Sequence, residues 1–222
     1  IMCLITFHYG QHERYKLILA ANRDEAYNRS SAAADFWSSH PDLLAGKDLE
    51  ASGTWFGITK DGKIAAITNC HGDEFAEPAT DKQSRGHILT DYLTQNDSAE
   101  NFIQALIKKK DAYQPFNVLL GSVDTLYHFN SLDTDFTALT KGTHSLSNAT
   151  LNTPWPKVEK TLETLDIIIQ SEKDYLNDLF AMMMDKTPAP DHKIPDAPLA
   201  RNPRLSYSWT GTITLPMSKE PT

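Results

Sequence analysis

The segment CLITFHYGQHERYKLILAANRDE, residues 3–25, determines how the chain begins to fold. Its two largely apolar runs, residues 3–9 and 15–21, flank the polar residues 10–14, which include a glycine. Apolar runs of this length joined by a short polar connection are typical of an antiparallel β-hairpin. Residues 54–59 and 63–68 predict a second hairpin, since the Asp61-Gly62 pair between them suits a tight turn.

The rest of the chain alternates between helical and strand patterns. Ser84 and Ser98 each precede residues that share one apolar face, so each is predicted to cap a helix. Two later helices are expected, one beginning near Pro156 and one over residues 174–184. Further strands are predicted at residues 116–120, 125–129, 136–139, 143–146 and 212–215. Residues 187–198 contain four prolines and predict an extended loop.

This order of elements predicts an α+β fold, in which two antiparallel sheets stack face to face and helices cover them. Apolar residues make up 40% of the chain, which is enough to bury a sizeable core. The sequence contains no long linker, so residues 1–222 are predicted to form a single domain.

Composition excludes several classes of partner and site. The net charge of -8 argues against nucleic acid, and the absence of an apolar run of about 20 residues argues against a membrane span. Two cysteines without a disulfide pattern favour a reducing compartment, so we expect a cytoplasmic protein. The eight histidines form no metal-ligand motif, and no phosphate or dinucleotide loop is present, so neither a metal nor a cofactor is predicted. The oligomeric state is left open.

Cys3 has two interpretations. A cysteine in a strand is commonly a small buried apolar group. Removal of the preceding residues, Ile1 and Met2, would instead give Cys3 a free α-amine beside its thiol. An α-amine has a pKa of about 8 and a thiol of about 8.5, so the amine can take the thiol proton. One residue would then supply both the nucleophile and the base.

Two groups of polar residues could support such a nucleophile. Arg23 and Asp24 follow the second strand and could lower the thiol pKa and orient the amine; a solvated turn with an internal ion pair is the alternative. Asn69 and Asn148 follow predicted strands, and side-chain amides can stabilise an oxyanion, although asparagine also commonly caps strands and turns.

Eight motifs in order along the chain resemble those of the NRDE family, also called the transport and Golgi organisation protein 2 family. They are Met2-Cys3, residues 21–25 (ANRDE), 45–49 (AGKDL), 53–57 (GTWFG), 68–69 (TN), 84–86 (SRG), 116–120 (FNVLL) and 146–157 (LSNATLNTPWPK). The resemblance implies a four-layer αββα fold of the N-terminal-nucleophile hydrolases. The sequence departs from the family pattern at residues 207–210, where the family would have an arginine and this chain has none.

The resemblance also implies roles. Cys3, Arg23, Asp24, Asn69 and Asn148 would be catalytic, and the candidates for substrate binding are Asn22, Trp55, Arg85 and Trp155. The implied activity is hydrolysis of a linear, non-peptide amide through an acyl-enzyme on Cys3. The alternative is a non-catalytic binding or trafficking protein for haem, acyl-CoA or a similar hydrophobic ligand on the same fold.

Overall fold

The computed structural model describes residues 3–25, 28–70, 81–171, 175–185, 187, 208–210 and 217–218. The described residues form twelve β-strands, four α-helices and one short 3-10 helix, and the strands form two antiparallel sheets. The prediction of an α+β fold with two antiparallel sheets is therefore confirmed. The chain divides into two compact units: unit 1 comprises Ile1–Glu25 and Thr140–Thr222, and unit 2 comprises Ala26–Leu139. That they belong to one domain remains a prediction.

The elements follow one another along the chain with short connections. The strands are β1 (Leu4–Tyr9), β2 (Tyr15–Glu25), β3 (Ser31–Trp37), β4 (His40–Asp48), β5 (Phe56–Thr59), β6 (Lys63–Asn69), β7 (Phe116–Ser122), β8 (Leu126–Asn130), β9 (Thr137–Ala138), β10 (Gly142–Leu146), β11 (Ser208–Thr210) and β12 (Met217–Ser218). The helices are α1 (Gly86–Thr94), α2 (Ala99–Lys109), α3 (Pro156–Gln170) and α4 (Tyr175–Met183), and the 3-10 helix is Lys110–Ala112.

The sheet of unit 1 is built on the predicted first hairpin. Its strand order is β10-β1-β2-β11, and β12 also pairs with β2. In the hairpin, Leu4 pairs with Asn22 and Tyr9 pairs with Leu17. Strand β2 is longer than expected and runs to Glu25, so the ANRDE motif is part of the strand. The alternative of a solvated turn at these residues is therefore wrong.

Helices α3 and α4 pack against one face of the unit 1 sheet. Ile18 and Ala20 of β2 are buried against leucine, isoleucine and methionine side chains of the two helices. On the same face, the hydroxyl of Thr6 lies 3.0 Å from that of Thr161 in α3. Successive strand residues point to opposite faces, so even-numbered residues of β1 and β2 face the helices.

Unit 2 is a seven-stranded sheet in the order β3-β4-β5-β6-β7-β8-β9, with α1 and α2 packed against it. The second predicted hairpin is confirmed as β5 and β6, in which Phe56 pairs with Ala66. Strands β3 and β4 were not predicted from the sequence. Residues 32–34 of β3 are alanines, which are depleted in strands, and β4 begins with the exposed residues His40, Pro41 and Asp42.

The helix starts show one correct and one wrong prediction. Ser98 caps α2, since its hydroxyl accepts the backbone N–H of Asn101 at 3.2 Å. Ser84 does not cap α1, because that helix begins after Arg85 and no side chain caps it. The predicted strand at residues 212–215 and all but residue 187 of the predicted loop at 187–198 lie outside the described residues.

Candidate active site

Cys3 lies directly before β1, and its main-chain carbonyl is held by two side chains from distant parts of unit 1. The hydroxyl of Ser147 donates to the Cys3 carbonyl oxygen at 2.8 Å. The ammonium of Lys157 donates to the same oxygen at 3.4 Å. Cys3 itself is only 8% exposed. The position of this residue is therefore determined by charged and polar contacts as well as by burial.

The charged residues of the ANRDE motif point to opposite faces of β2. Asn22 faces the helices, since its amide donates to the carbonyl oxygen of Met183 in α4 at 2.7 Å, and Asp24 shares that face by alternation. Arg23 and Glu25 point the other way, where they form a buried ion pair at 3.2 Å. An ion pair within the motif therefore exists, but it is buried in a strand and does not belong to a solvated turn.

The hairpin register brings Cys3 next to this motif. Leu4 pairs with Asn22, so the same register one residue earlier sets Cys3 opposite Arg23. Adjacent strands lie about 4.8 Å apart, which puts the two residues within side-chain reach. The first hairpin, which the sequence predicts, therefore places Arg23 and Asp24 close to the candidate nucleophile Cys3.

The thiol of Cys3 lies in an environment that keeps it protonated. Burial raises its pKa, and the nearby Asp24 carboxylate raises it further. A hydrogen bond from the backbone of Asp24 and the positive charges of Lys157 and Arg23 act in the opposite direction. Because the thiolate is the reactive form, Cys3 needs a base before it can act as a nucleophile.

Asp24 and Lys157 are partly buried, and the pKa of each side chain is shifted. Burial raises the pKa of Asp24 to about 6, although the charge of Lys157 opposes the shift. Burial also lowers the pKa of Lys157 to about 8, against the charges of Asp24 and Cys3. The Lys157 ammonium lies 5.7 Å from the ring centroid of Trp155, which precedes α3. Perturbed pairs of this kind are concentrated at functional sites.

Asn148 is connected to Cys3 through Ser147. Asn148 is fully buried. The Ser147 hydroxyl lies 3.2 Å from the Asn148 side-chain oxygen and also contacts the Cys3 carbonyl. Unit 1 therefore brings together four of the five predicted catalytic residues, namely Cys3, Arg23, Asp24 and Asn148.

The other predicted site residues belong to unit 2. Asn69 is partly buried and is the last residue of β6. The side chain of Arg85 donates to the carbonyl oxygen of Pro115 at 2.9 Å. The ring of Trp55 packs closely on Gly46, where an added Cβ would lie 2.7 Å from it. These contacts give Arg85 and Trp55 structural roles within unit 2, and their contact with substrate remains a prediction.

Sequence reasoning did not identify Lys157 and Ser147 as site residues, although both occur in the 146–157 motif. One physical signal marks Lys157: it lies in the first turn of α3, where the helix dipole disfavours a cation. A lysine in this position gains little for the helix itself, so a partner elsewhere in the fold is expected. The structure supplies that partner in Cys3 and Asp24.

Across the ranges that the structure describes, no three His, Cys, Asp or Glu side chains are grouped as a metal ion would require. None of the described helices has both the length and the apolarity needed to cross a lipid bilayer.

The fold is similar to that of two solved amide-cleaving enzymes. Penicillin V acylase from Agrobacterium tumefaciens aligns with a TM-score of 0.50 and 10% identity, covering 82% of this chain and 71% of that one. The Caenorhabditis elegans ortholog of N-acylethanolamine-hydrolyzing acid amidase aligns with a TM-score of 0.51 and 9% identity, covering 97% and 100%. At such low identity the likeness shows the fold alone, and it confirms the predicted N-terminal-nucleophile hydrolase fold.

Sequence comparison shows the family. The human Transport and Golgi organization protein 2 homolog is 35% identical over 211 residues, covering 83% of this chain and 75% of the relative. The Mus musculus homolog is 34% identical over 210 residues, covering 88% and 75%. The family described as Transport and Golgi organisation 2 matches residues 2–216. The chain therefore belongs to the Transport and Golgi organisation 2 family, as its NRDE motifs predict.

Proposed function

We propose that this protein is an amidohydrolase that cleaves a linear, non-peptide amide through an acyl-enzyme on Cys3. The observation that carries this proposal is the convergence of Ser147 and Lys157 on the Cys3 carbonyl, with Arg23 and Asp24 beside the thiol. A cysteine that served only as core packing would not need two charged side chains of shifted pKa, Asp24 and Lys157, beside its thiol. The fold, which solved amide hydrolases share, is consistent with the proposal.

The reaction begins once the residues before Cys3 have been removed. The new α-amine accepts the thiol proton, and the thiolate sulfur attacks the carbonyl carbon of the amide to form a tetrahedral oxyanion. The oxyanion collapses, the C–N bond breaks, and the ammonium of Cys3 returns the proton to the leaving amine. The thioester is then attacked by water, which gives a free carboxylic acid and restores the thiol.

The surrounding residues assist at defined points. The side-chain amide of Asn148 stabilises the oxyanion, and such a donor is worth about 3 kcal/mol when well placed. A part for Asn69, which belongs to unit 2, stays a prediction from the family resemblance. Arg23 favours the thiolate by its charge, and Asp24 orients the ammonium of Cys3. Lys157 and Ser147 hold the carbonyl of Cys3, so that the amine and the thiol of one residue keep a constant geometry.

Two of the four candidates for substrate binding, Asn22 and Trp155, belong to unit 1 with Cys3. Trp155 presents an aromatic ring beside Lys157, which suits an apolar acyl chain or an aromatic group. Asn22 already donates to Met183, so its part in binding is restricted to the remaining capacity of its amide. The other two candidates for substrate binding, Trp55 and Arg85, belong to unit 2.

The proposal is tested with protein that begins at Cys3 and with protein that retains Met2. Both are assayed against a panel of fluorogenic linear amides. Turnover is expected only from the form beginning at Cys3, and Cys3→Ala is expected to abolish it. Cys70→Ala is the matched control and should retain turnover. Equal turnover with Met2 retained, or turnover by Cys3→Ala, would contradict the mechanism.

A competing proposal is a non-catalytic protein that binds haem, acyl-CoA or a similar ligand. It is favoured by the protonated thiol of Cys3 in the chain that still carries Met2, and by the word transport in the names of the relatives. Isothermal titration with haemin and with palmitoyl-CoA distinguishes the two. Micromolar binding that is unchanged in Cys3→Ala, together with no hydrolysis, would favour this alternative over the enzyme.

A further inference from the structure

A second candidate site lies in unit 1 at the opposite end of β1 from Cys3. An open groove of about 810 Å³ is lined by the β1–β2 connection, β10, α3 and the start of α4. This volume is typical of small-molecule sites. Strand β1 spans six residues, so the groove and Cys3 are separated by roughly 20 Å. The groove is therefore distinct from the proposed active site.

A chain of hydrogen bonds holds one buried histidine, His8, in the lining of this groove. The hydroxyl of Thr143 donates to a carboxylate oxygen of Asp166. That hydroxyl has a single proton, so it accepts from the Nδ1–H of His8, at 2.8 Å. The Nε2 atom of His8 is then a lone-pair acceptor. His8 is 8% exposed and lines the groove, and within the described part of the chain no side chain or backbone group bonds its Nε2.

The charge state of His8 follows from its neighbours. Burial lowers its pKa, and His12 and His144 lower it further, whereas Asp166 raises it. The balance is a neutral imidazole at pH 7. The Glu13 and Arg14 side chains also line the groove, so its lining carries two carboxylates, those of Asp166 and Glu13, and one guanidinium.

An aromatic wall completes the groove. His12 accepts the backbone N–H groups of Arg14 and Tyr15 through Nδ1, at 3.1 and 3.0 Å, so its Nε2–H donates to the hydroxyl of Tyr175 at 3.2 Å. The rings of Tyr15 and Tyr175 meet edge to face with centroids 6.2 Å apart. The guanidinium of Arg14, which also lines the groove, lies 5.5 Å from the centroid of the Tyr15 ring.

From these features we infer that the groove binds a small primary ammonium ion. An ammonium group has three hydrogen-bond donors and no acceptor, which matches an imidazole lone pair and two carboxylates. The excess of negative charge and the aromatic faces favour a cation over an anion. The attached alkyl group would lie along Ile169 and the ring of Tyr175.

The test uses three probes of matched size: butylammonium, 1-butanol and butyrate. Each is titrated into the full chain while the ring nitrogen resonances of the histidines are followed by long-range ¹H–¹⁵N correlation. Butylammonium is expected to shift the His8 Nε2 resonance in a saturable manner, with millimolar affinity. The alcohol and the carboxylate are expected to leave it unchanged. No saturable shift, or equal shifts by 1-butanol or butyrate, would overturn the inference.

Two variants separate the hydrogen-bond chain from general charge. Asp166→Asn removes the terminal carboxylate, and Thr143→Val breaks the chain without changing charge. Each is expected to weaken butylammonium binding by at least about tenfold, whereas Glu163→Gln, an exposed carboxylate of the same helix, should change it less than about twofold. If Asp166→Asn and Glu163→Gln weakened butylammonium binding equally, the binding would depend only on the overall negative charge. That result would contradict the site.

Discussion

The ammonium of Lys157 lies 3.4 Å from the carbonyl oxygen of Cys3, although 154 positions separate the two residues in sequence. The contact joins the first turn of α3 to the residue before β1. It also puts a cation beside the partly buried carboxylate of Asp24, whose pKa the charge of Lys157 lowers against the effect of burial. The proposed nucleophile is thus positioned by a helix start as well as by the hairpin.

Replacement of Lys157 by methionine tests this contact. Lys157→Met removes the bond to Cys3 and the charge beside Asp24, so kcat/KM for a hydrolysed amide should fall by roughly tenfold to a hundredfold. The desolvated cation is also lost, so the free energy of unfolding should not decrease. Urea unfolding and steady-state kinetics measure the two effects. Lys157→Arg, which keeps the charge, should retain more activity; full activity in Lys157→Met would exclude a positioning role.

The pair also predicts a pH window for activity. Asp24 titrates at about 6, so its carboxylate is charged above that pH, and Lys157 titrates at about 8, so its ammonium is charged below that pH. Both charges are present together only between these values. In a plot of kcat/KM against pH, protonation of Asp24 should therefore add a limb near pH 6 and deprotonation of Lys157 a limb near pH 8, beside the limb that the Cys3 α-amine itself gives as the base. In Asp24→Asn the limb near pH 6 should move or vanish, and an unchanged limb there would assign it to another group.

The sequence predicted much of this site and missed a defined part of it. The continuous apolar pattern of residues 3–9 and 15–21 was sufficient to predict the hairpin, and the hairpin alone sets Cys3 beside Arg23. Lys157 was missed because its significance depends on a contact between distant residues, which no local pattern encodes. Strands β3 and β4 were missed because the alanines of β3 are weak strand formers and β4 begins with exposed polar residues, so neither has the local pattern of a strand.

His128 predicts an acid sensitivity of stability. Burial lowers its pKa to about 4, with Asp133 opposing the shift, and its ring bonds Asn117 at 3.1 Å. An unfolded histidine titrates at about 6.5. Between pH 6.5 and 4, His128 is protonated in the unfolded chain but stays neutral in the folded chain. The free energy of unfolding therefore decreases as the pH falls through this range. Because of His128, the free energy of unfolding should be about 2 kcal/mol lower at pH 5 than at pH 7.

The measurement is urea unfolding at the two pH values for the natural chain and for His128→Gln. Glutamine can still donate to Asn117 but does not titrate. The variant should lose about 2 kcal/mol less than the natural chain over this interval. The same pH dependence in both proteins would mean that His128 is not the group responsible.

Gly53 and Gly86 predict a packing constraint on two of the family motifs. A Cβ added at Gly53 would lie 2.6 Å from the carbonyl carbon of Gly86, so the two backbones could not keep their present distance. Gly53→Ala should lower the free energy of unfolding by about 2 kcal/mol or more. Gly62→Ala is the comparison, since it meets no atom within 4 Å and carries only the strain of its φ of +88°. A larger loss in Gly62→Ala than in Gly53→Ala would contradict this account.

The proposed chemistry of Cys3 is tested most directly by the intact mass of protein beginning at that residue, measured after brief exposure to a p-nitrophenyl ester. We predict one acyl group per chain, located on the peptide that contains Cys3, which disappears as water hydrolyses the thioester. Protein that retains Met2 should acquire none on this timescale. An acyl group on Cys70 alone, or equal labelling of Cys3 with and without Met2, would contradict the claim that one residue supplies both the thiol and its base.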